Sequence, residues 1–375
     1  MKNILLLPFF RFGDSLKSVT MRTIEIYSRI NKQDFNFIIN LDLKTYNKID
    51  NYYYEKIKDM DKSFGYAGKN IIKLLKGLIT TVRNAKRADY IINESEYFYN
   101  VLYSYISYVI SKKPMIITIN HVQDDMLKKN NLLHYLIYKH IFNKVNKFLI
   151  SNDETIIETF KDNFGIKNKD IFRIVDGGID SKSFYTKDNK IYDMIFIGNI
   201  EERKNAFMLP DIVEKLKNYN VAIKLLIISH GGEIDKLKHI ITLKNLDTNI
   251  DFIGYISEAE KKEYLAKSKI MIFPTKYEGF GTVPAEGLAS NLPVIVFDVP
   301  TLQVFNKGVI KVKPFDVNEY VNKIIYLLKY EDIRKSLGIE GRLDVEQRFD
   351  YNCLAKMENE SIEKAITQIN LENNN

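Results

Sequence analysis

The chain has 375 residues, 45% of them apolar and 27% charged, with 55 Lys and Arg against 48 Asp and Glu and one cysteine, Cys353. That length exceeds one ordinary hydrophobic core and argues for two domains, and the composition fits a soluble globular protein. A single cysteine excludes an internal disulfide framework and a cysteine-based zinc site, and it fits a reducing cytoplasm.

The opening residues, Met1-Lys2-Asn3, run into ILLLP, a strand-length segment too short for a secretory leader. Further short apolar runs follow at 35–40, 89–93, 115–120, 147–151 and 172–175, then at 193–198, 222–229, 250–254, 269–274, 293–298 and 308–312. They are rich in Ile, Val and Phe and do not alternate with polar residues, as parallel strands buried on both faces require. Between them lie segments of helical spacing, such as 206–218 and 257–267, and the chain ends in helix from 319 onward. Alternating strand and helix, twice over, implies two doubly wound parallel sheets. The polar stretch 181–190 is taken as the linker, which gives domains at 1–182 and 183–350, with a terminal helix over 351–375 packing back on the first.

The front half is the basic half: residues 1–185 carry a net +9 and the remainder −2. A basic surface attracts nucleic acid, anionic lipid or phosphorylated substrates, although Lys is frequent throughout this Asn- and Ile-rich chain. Residues 69–87 and 128–147 are basic and amphipathic; they read either as contacts for an anionic membrane surface or as sheet-packing helices with a lysine face to water. The uncharged stretch 97–111 is too short to span a bilayer. No nucleic-acid reader module is present, so no nucleic-acid partner is expected. Asp59-Met60-Asp61 has a metal-like spacing but lies in a charged run and reads as a solvated turn; no His, Asp and Glu cluster has metal spacing, and no metal or other cofactor is expected.

The most informative segment is 269–298, KIMIFPTKYEGFGTVPAEGLASNLPVIVFD. It reads as buried strand, glycine-rich turn, short helix and second buried strand. Glu278 and Glu286 bracket the turn with seven residues between them. A glycine turn at a helix N-terminus offers unpaired N–H groups and the positive end of the helix dipole to a phosphate, while the flanking carboxylates suit sugar hydroxyls.

This segment resembles the signature of retaining GT-B-fold glycosyltransferases with an E-x7-E motif, the group 1 or family 4-like nucleotide-sugar-dependent hexosyltransferases. Three upstream passages resemble the same family in order: VDGGIDSKSF at the linker, MIFIGNIEERKNAFMLPDIVEKL, and IDFIGYISEAEKKEYLAKSKI. In the front half, MIITINHVQDD and KFLISNDETI resemble its strands ending in histidine and serine.

The resemblance implies a fold and a set of roles. The fold would be GT-B, two Rossmann-like domains with a cleft between them, the first taking the acceptor and the second the donor. Glu286 would bind the donor ribose and Glu278 the transferred sugar; Phe280, Gly281 and Thr282 would offer N–H groups; Lys204 would neutralise the leaving diphosphate, with Arg203 beside it. His121 would sit near the sugar hydroxyls, Gly13 in the front loop, Gly198 and Asn199 in the loop before Lys204, His230 to Glu233 along the nucleotide pocket, and Tyr255 by the nucleobase. Asn199 stands where the family usually has arginine, so Arg203 replaces that cation or donor affinity falls. The implied activity is retaining transfer of a hexose from a nucleotide sugar to a glycan or lipid-linked acceptor in surface polysaccharide or glycoconjugate synthesis, in the cytoplasm or at the inner membrane face. Two alternatives are a non-catalytic relative that binds nucleotide or glycan as a partner subunit, and a GT-B epimerase or phosphorylase.

Overall fold

A computed structural model describes residues 1–7, 18–30, 34–42, 51–65, 71–122, 126–145, 147–151, 153–175, 177–219, 221 and 223–374. The chain forms two compact units: residues 1–176 joined by 351–375, and residues 177–350.

In the first unit, seven parallel strands are ordered β3-β2-β1-β4-β5-β6-β7. They are β1 (Lys2–Leu7), β2 (Phe35–Asp42), β3 (Asp61–Gly65), β4 (Tyr90–Asn93), β5 (Met115–Ile119), β6 (Lys147–Ser151) and β7 (Ile171–Ile174). Successive side chains of a strand point to opposite faces, so each apolar run supplies two cores. Ile4 and Leu6 join one with Ile24, Ile362 and Ile366; Leu5 and Leu7 join the other with Val101, Tyr138 and Phe160. Helix α1 (Ser18–Tyr27) belongs to the first core, and α2 (Asn51–Ile57) also contributes to it. The second core takes α3 (Ile71–Arg87), α4 (Phe98–Ser111), α5 (Leu132–Phe142) and α6 (Glu154–Phe164).

The second unit has six parallel strands in the order β10-β9-β8-β11-β12-β13. These are β8 (Tyr192–Ile197), β9 (Leu225–Ile228), β10 (Ile250–Ile253), β11 (Ser268–Phe273), β12 (Val294–Phe297) and β13 (Val309–Val312). Its helices are α7 (Leu209–Asn218), α8 (Ile234–Leu243), α9 (Glu258–Ala266), α10 (Thr282–Ala289), α11 (Val317–Lys329) and α12 (Glu331–Arg348). Two Rossmann-like parallel sheets in succession are the fold class expected of a GT-B chain.

Two readings of the sequence need correction. The polar stretch from Ser181 is not the boundary. The second unit begins at Gly177, because Ile179 bridges Asp350 and both Ser181 N and Ser181 Oγ donate to Asp350 Oδ2, at 3.1 and 2.6 Å. Nor is Asp59-Met60-Asp61 wholly a solvated turn: Met60 is buried in the core and Asp61 opens the edge strand β3.

The terminal helix α13 (Tyr351–Asn373) belongs to the first unit. Its Glu358 accepts from Arg22 of α1 at 2.6 Å, Asn370 accepts from Tyr90 at 2.7 Å, and Glu372 pairs with the buried Lys147 at 2.9 Å.

Candidate active site

In an open parallel sheet, ligands bind outside the carboxyl ends of the strands where the strand order reverses. In the second unit that point lies between β8 and β11, and the loops following these two strands carry most of the residues singled out in the sequence.

The β8 loop leaves the sheet at Gly198 and turns through a short 3-10 segment, Glu202–Lys204, before Asn205 adopts a left-handed conformation (φ 52°). The β11 loop runs beside it. Lys276 N donates to Arg203 O at 2.9 Å, which ties the two loops through their backbones, and the buried Thr275 hydroxyl lies 3.2 Å from the same oxygen. This juxtaposition brings Lys204 Nζ to Glu278 Oε1 at 2.5 Å. Arg203 Nη1 reaches that oxygen at 2.9 Å and Thr275 Oγ1 at 2.8 Å. All these contacts fall on Oε1; among the described residues, Oε2 takes no partner.

Lys204 is 8% exposed, and its ammonium lies 4.7 Å from the centre of the Phe273 ring. Burial pushes its pKa below the ordinary lysine value, and the Glu278 carboxylate opposes that shift. Asn199 donates to Glu201 Oε1 at 2.9 Å, and Glu201 in turn lies 3.5 Å from Arg203.

Glu286 sits on the second turn of α10 and is buried. Lys261 of α9 donates to its Oε1 at 2.7 Å, while Oε2 is buried without a hydrogen-bond donor. Burial raises the Glu286 pKa and the Lys261 charge opposes the rise. A buried carboxylate oxygen lacking a donor is costly to the protein alone and suits a ligand hydroxyl.

Helix α10 starts at Gly281, whose φ of 89° is natural only for glycine; no side chain caps this end. The Phe280 ring packs against Phe305 and Phe349, with centroids 5.5 and 5.1 Å away, so only its backbone remains for a ligand. Thr282, at the first helical position, is exposed. Beyond β10, Tyr255 is 82% exposed and meets the His230 ring edge-on at 5.8 Å, which puts the ends of β9 and β10 side by side.

The structure therefore gathers Gly198, Asn199, Arg203, Lys204 and Glu278 into one constellation, with Glu286 on the helix that follows. His121 lies in the first unit, exposed, just past the carboxyl end of β5. Gly13 lies outside the described residues. Sequence reasoning missed Lys261 and Thr275. Lys261 is one lysine among many, and its role shows only when α9 is laid against α10. Thr275 carried a signal in its position, directly behind a buried strand end.

Residues 180–344 match the family model described as glycosyl transferases group 1. That match covers somewhat less than half of the chain. The segment contains the site residues from Gly198 to Glu286 described above. An uncharacterized glycosyltransferase of Methanocaldococcus jannaschii, MJ1178, is 26% identical over 232 residues, covering 61% of this chain and 62% of the relative. A Campylobacter jejuni enzyme is 29% identical over 177 residues, 43% of this chain and 47% of its own length. It is named N-acetylgalactosamine-N,N'-diacetylbacillosaminyl-diphospho-undecaprenol 4-alpha-N-acetylgalactosaminyltransferase. The chain thus spans less than two thirds of these curated relatives. Among solved structures, Anabaena Alr3699/HepE in complex with UDP superimposes with a TM-score of 0.76 at 14% identity, over 97% of this chain and all of that one. At that identity the likeness shows the fold alone.

Proposed function

We propose that the chain is a retaining glycosyltransferase that moves a hexose from a nucleoside diphosphate sugar to a hydroxyl of a glycan or lipid-linked acceptor. One observation carries this reading. Two carboxylates, Glu278 and Glu286, each commit one oxygen to a lysine and leave the other open, and they flank a helix N-terminus that no side chain caps.

That arrangement suits a ligand with a diphosphate between two polyols. The diphosphate takes the N–H groups of Gly281 and Thr282 together with the Lys204 and Arg203 cations. Glu286 Oε2 accepts from ribose and Glu278 Oε2 from the hexose. As the anomeric bond breaks, charge grows on the departing diphosphate, and a lysine already fixed beside it lowers that barrier without reorganisation. No carboxylate of this loop pair is free of a cation to act as a nucleophile. The acceptor hydroxyl therefore attacks from the leaving-group face, its proton passes to a phosphate oxygen, and the anomeric configuration is kept. The reading includes no metal requirement. The diphospho-undecaprenol in the name of the Campylobacter relative favours a lipid-linked acceptor.

The test is nucleotide release from a panel of nucleotide sugars, comparing wild type with Glu278→Ala and Lys204→Ala. Slow release from one donor, lost in both variants, supports a transferase and names its donor. A second reading, a non-catalytic nucleotide-binding subunit, is favoured by one feature, an asparagine at 199 tied to Glu201. Donor binding without turnover on any lipid-linked acceptor would select it.

A further inference from the structure

Helices α3, α4 and α5 lie side by side on one face of the first sheet, α3 against α4 and α4 against α5. None of the three contains an Asp or Glu. The next helix, α6, has Glu154, Glu158 and Asp162, so the acid-free surface ends there. Large apolar side chains stand out from it: Leu75 and Ile79 on α3, Tyr99 on α4, and Leu132, Leu133 and Leu136 on α5, with Leu133 the most exposed at 67%. Cations rim them. Lys76, Arg83 and Lys86 are exposed on α3, Lys112 at the end of α4, and Lys128 and Lys129 just before α5.

An ordinary surface helix turns charges of both signs to water. Here α4 turns none, and its neighbours turn only positive ones. We propose that the outer face of α3, α4 and α5 is a docking surface for an anionic lipid bilayer, with the leucines seated among the acyl chains and the lysines at the headgroups. The two basic segments visible in the sequence become one surface because the uncharged α4 lies between them.

The chemistry selects this occupant over others. Five of the six apolar side chains named are aliphatic, with Tyr99 the one aromatic among them, so the surface offers nucleic acid no platform of stacked rings. A symmetric pairing of two copies through this face would set cation against cation, with no Asp or Glu on the three helices to answer it. A bilayer rewards both features, apolar burial and lysine–phosphate attraction. Among the described residues, no helix is long and apolar enough to cross a membrane, so the contact is peripheral. Tyr99, Leu132 and Leu133 stand near the N-termini of helices that follow strand carboxyl ends, so the surface borders the edge of the sheet where His121 lies. A hydroxyl anchored in the bilayer would reach the first unit at its ligand-binding edge.

The chain contains no tryptophan, which permits a direct test on the full protein. Leu133→Trp places one reporter on the surface, and Leu371→Trp, on the exposed end of α13, serves as the control. With phosphatidylglycerol vesicles at low salt, the first emission should shift to the blue and the second should not. Wild type should co-float with these vesicles and not with pure phosphatidylcholine. Affinity should fall about tenfold or more in the combined Leu132→Ser, Leu133→Ser and Leu136→Ser variant, whose Tm should match wild type because these side chains are exposed. Absence of co-flotation, or co-flotation undiminished by the three substitutions, overturns the proposal. So does a self-association without vesicles that the same substitutions abolish, which would assign the face to a second copy. Donor turnover is read separately, so neither result decides the other.

Discussion

Lys204 Nζ and Glu278 Oε1 lie 2.5 Å apart, and the contact joins the loop after β8 to the loop after β11. The two residues are far apart in the chain yet lie in the loops that follow adjacent strands, either side of the point where the strand order reverses. Each constrains the other: the carboxylate keeps a buried ammonium charged, and the ammonium fixes which carboxylate oxygen stays open.

This coupling sets a pH dependence. Burial lowers the Lys204 pKa and Glu278 raises it. Removing the negative charge with Glu278→Gln deletes the raising contribution, so Lys204 loses its proton at a lower pH. Nucleoside diphosphate binding, followed by calorimetry as pH increases, should weaken earlier in Glu278→Gln than in wild type. A midpoint that stays put, or moves upward, would show that Lys204 does not carry the phosphate contact.

If Glu286 binds the donor ribose as proposed, Lys261 acts on donor binding through it. This lysine holds Oε1 at 2.7 Å and opposes the burial that raises the carboxyl pKa. Lys261→Met should let that pKa rise further, so a larger share of Glu286 is protonated near neutrality and cannot accept two ribose hydroxyl bonds. The donor KM should increase about tenfold near neutral pH, with kcat nearly unchanged, and should recover as pH is raised. A KM equally impaired at every pH would reduce Lys261 to a packing role.

Arg203 supplies the second cation of the loop pair, since Asn199 cannot. Its Nη1 lies 2.9 Å from Glu278 Oε1 and 3.3 Å from Tyr277 O. Arg203→Ala should weaken nucleoside diphosphate binding roughly tenfold, the scale of one charge-assisted hydrogen bond. Adding Asn199→Arg to that variant should restore part of the loss. If Arg203→Ala binds like wild type, the diphosphate contact does not depend on Arg203.

The sheets were legible because strands buried on both faces must be uninterrupted Ile, Val and Phe runs. Edge strand β3, DKSFG, was not: with a single neighbour it needs no such run, and its sequence imitates a charged loop. The boundary was misplaced because polar composition marks exposure, whereas residues from Gly177 are held to Asp350 by contacts made at long separation in the chain. Within the candidate site, Lys204 and Glu278 were singled out by their position in loops after strands, and Glu286 by its spacing from Glu278. Lys261 did not, because a lysine that pairs with a buried carboxylate looks the same in sequence as one that faces water.

A last prediction concerns the first unit, where Glu94 is buried at the carboxyl end of β4. Its Oε1 accepts from Tyr27 at 2.6 Å and Thr118 at 2.8 Å, and its Oε2 lies 3.9 Å from Arg22, which also binds Glu358. Burial and the neighbouring Glu358 charge raise the Glu94 pKa from 4.5 to about 7, against the opposing charge of Arg22. A raised carboxyl pKa means that the folded state holds a proton that the unfolded chain has already lost. The stability it contributes is therefore complete below about pH 4.5 and is lost as pH rises through about 7. Glu94→Gln keeps an acceptor for Tyr27 and Thr118 but cannot ionise. Its Tm should vary less than that of wild type across this interval, measured by calorimetry. The difference should be largest at the alkaline end, where wild type carries two buried carboxylates on one arginine. Parallel Tm profiles would mean that Glu94 is ionised throughout, with Arg22 outweighing the cost of its burial.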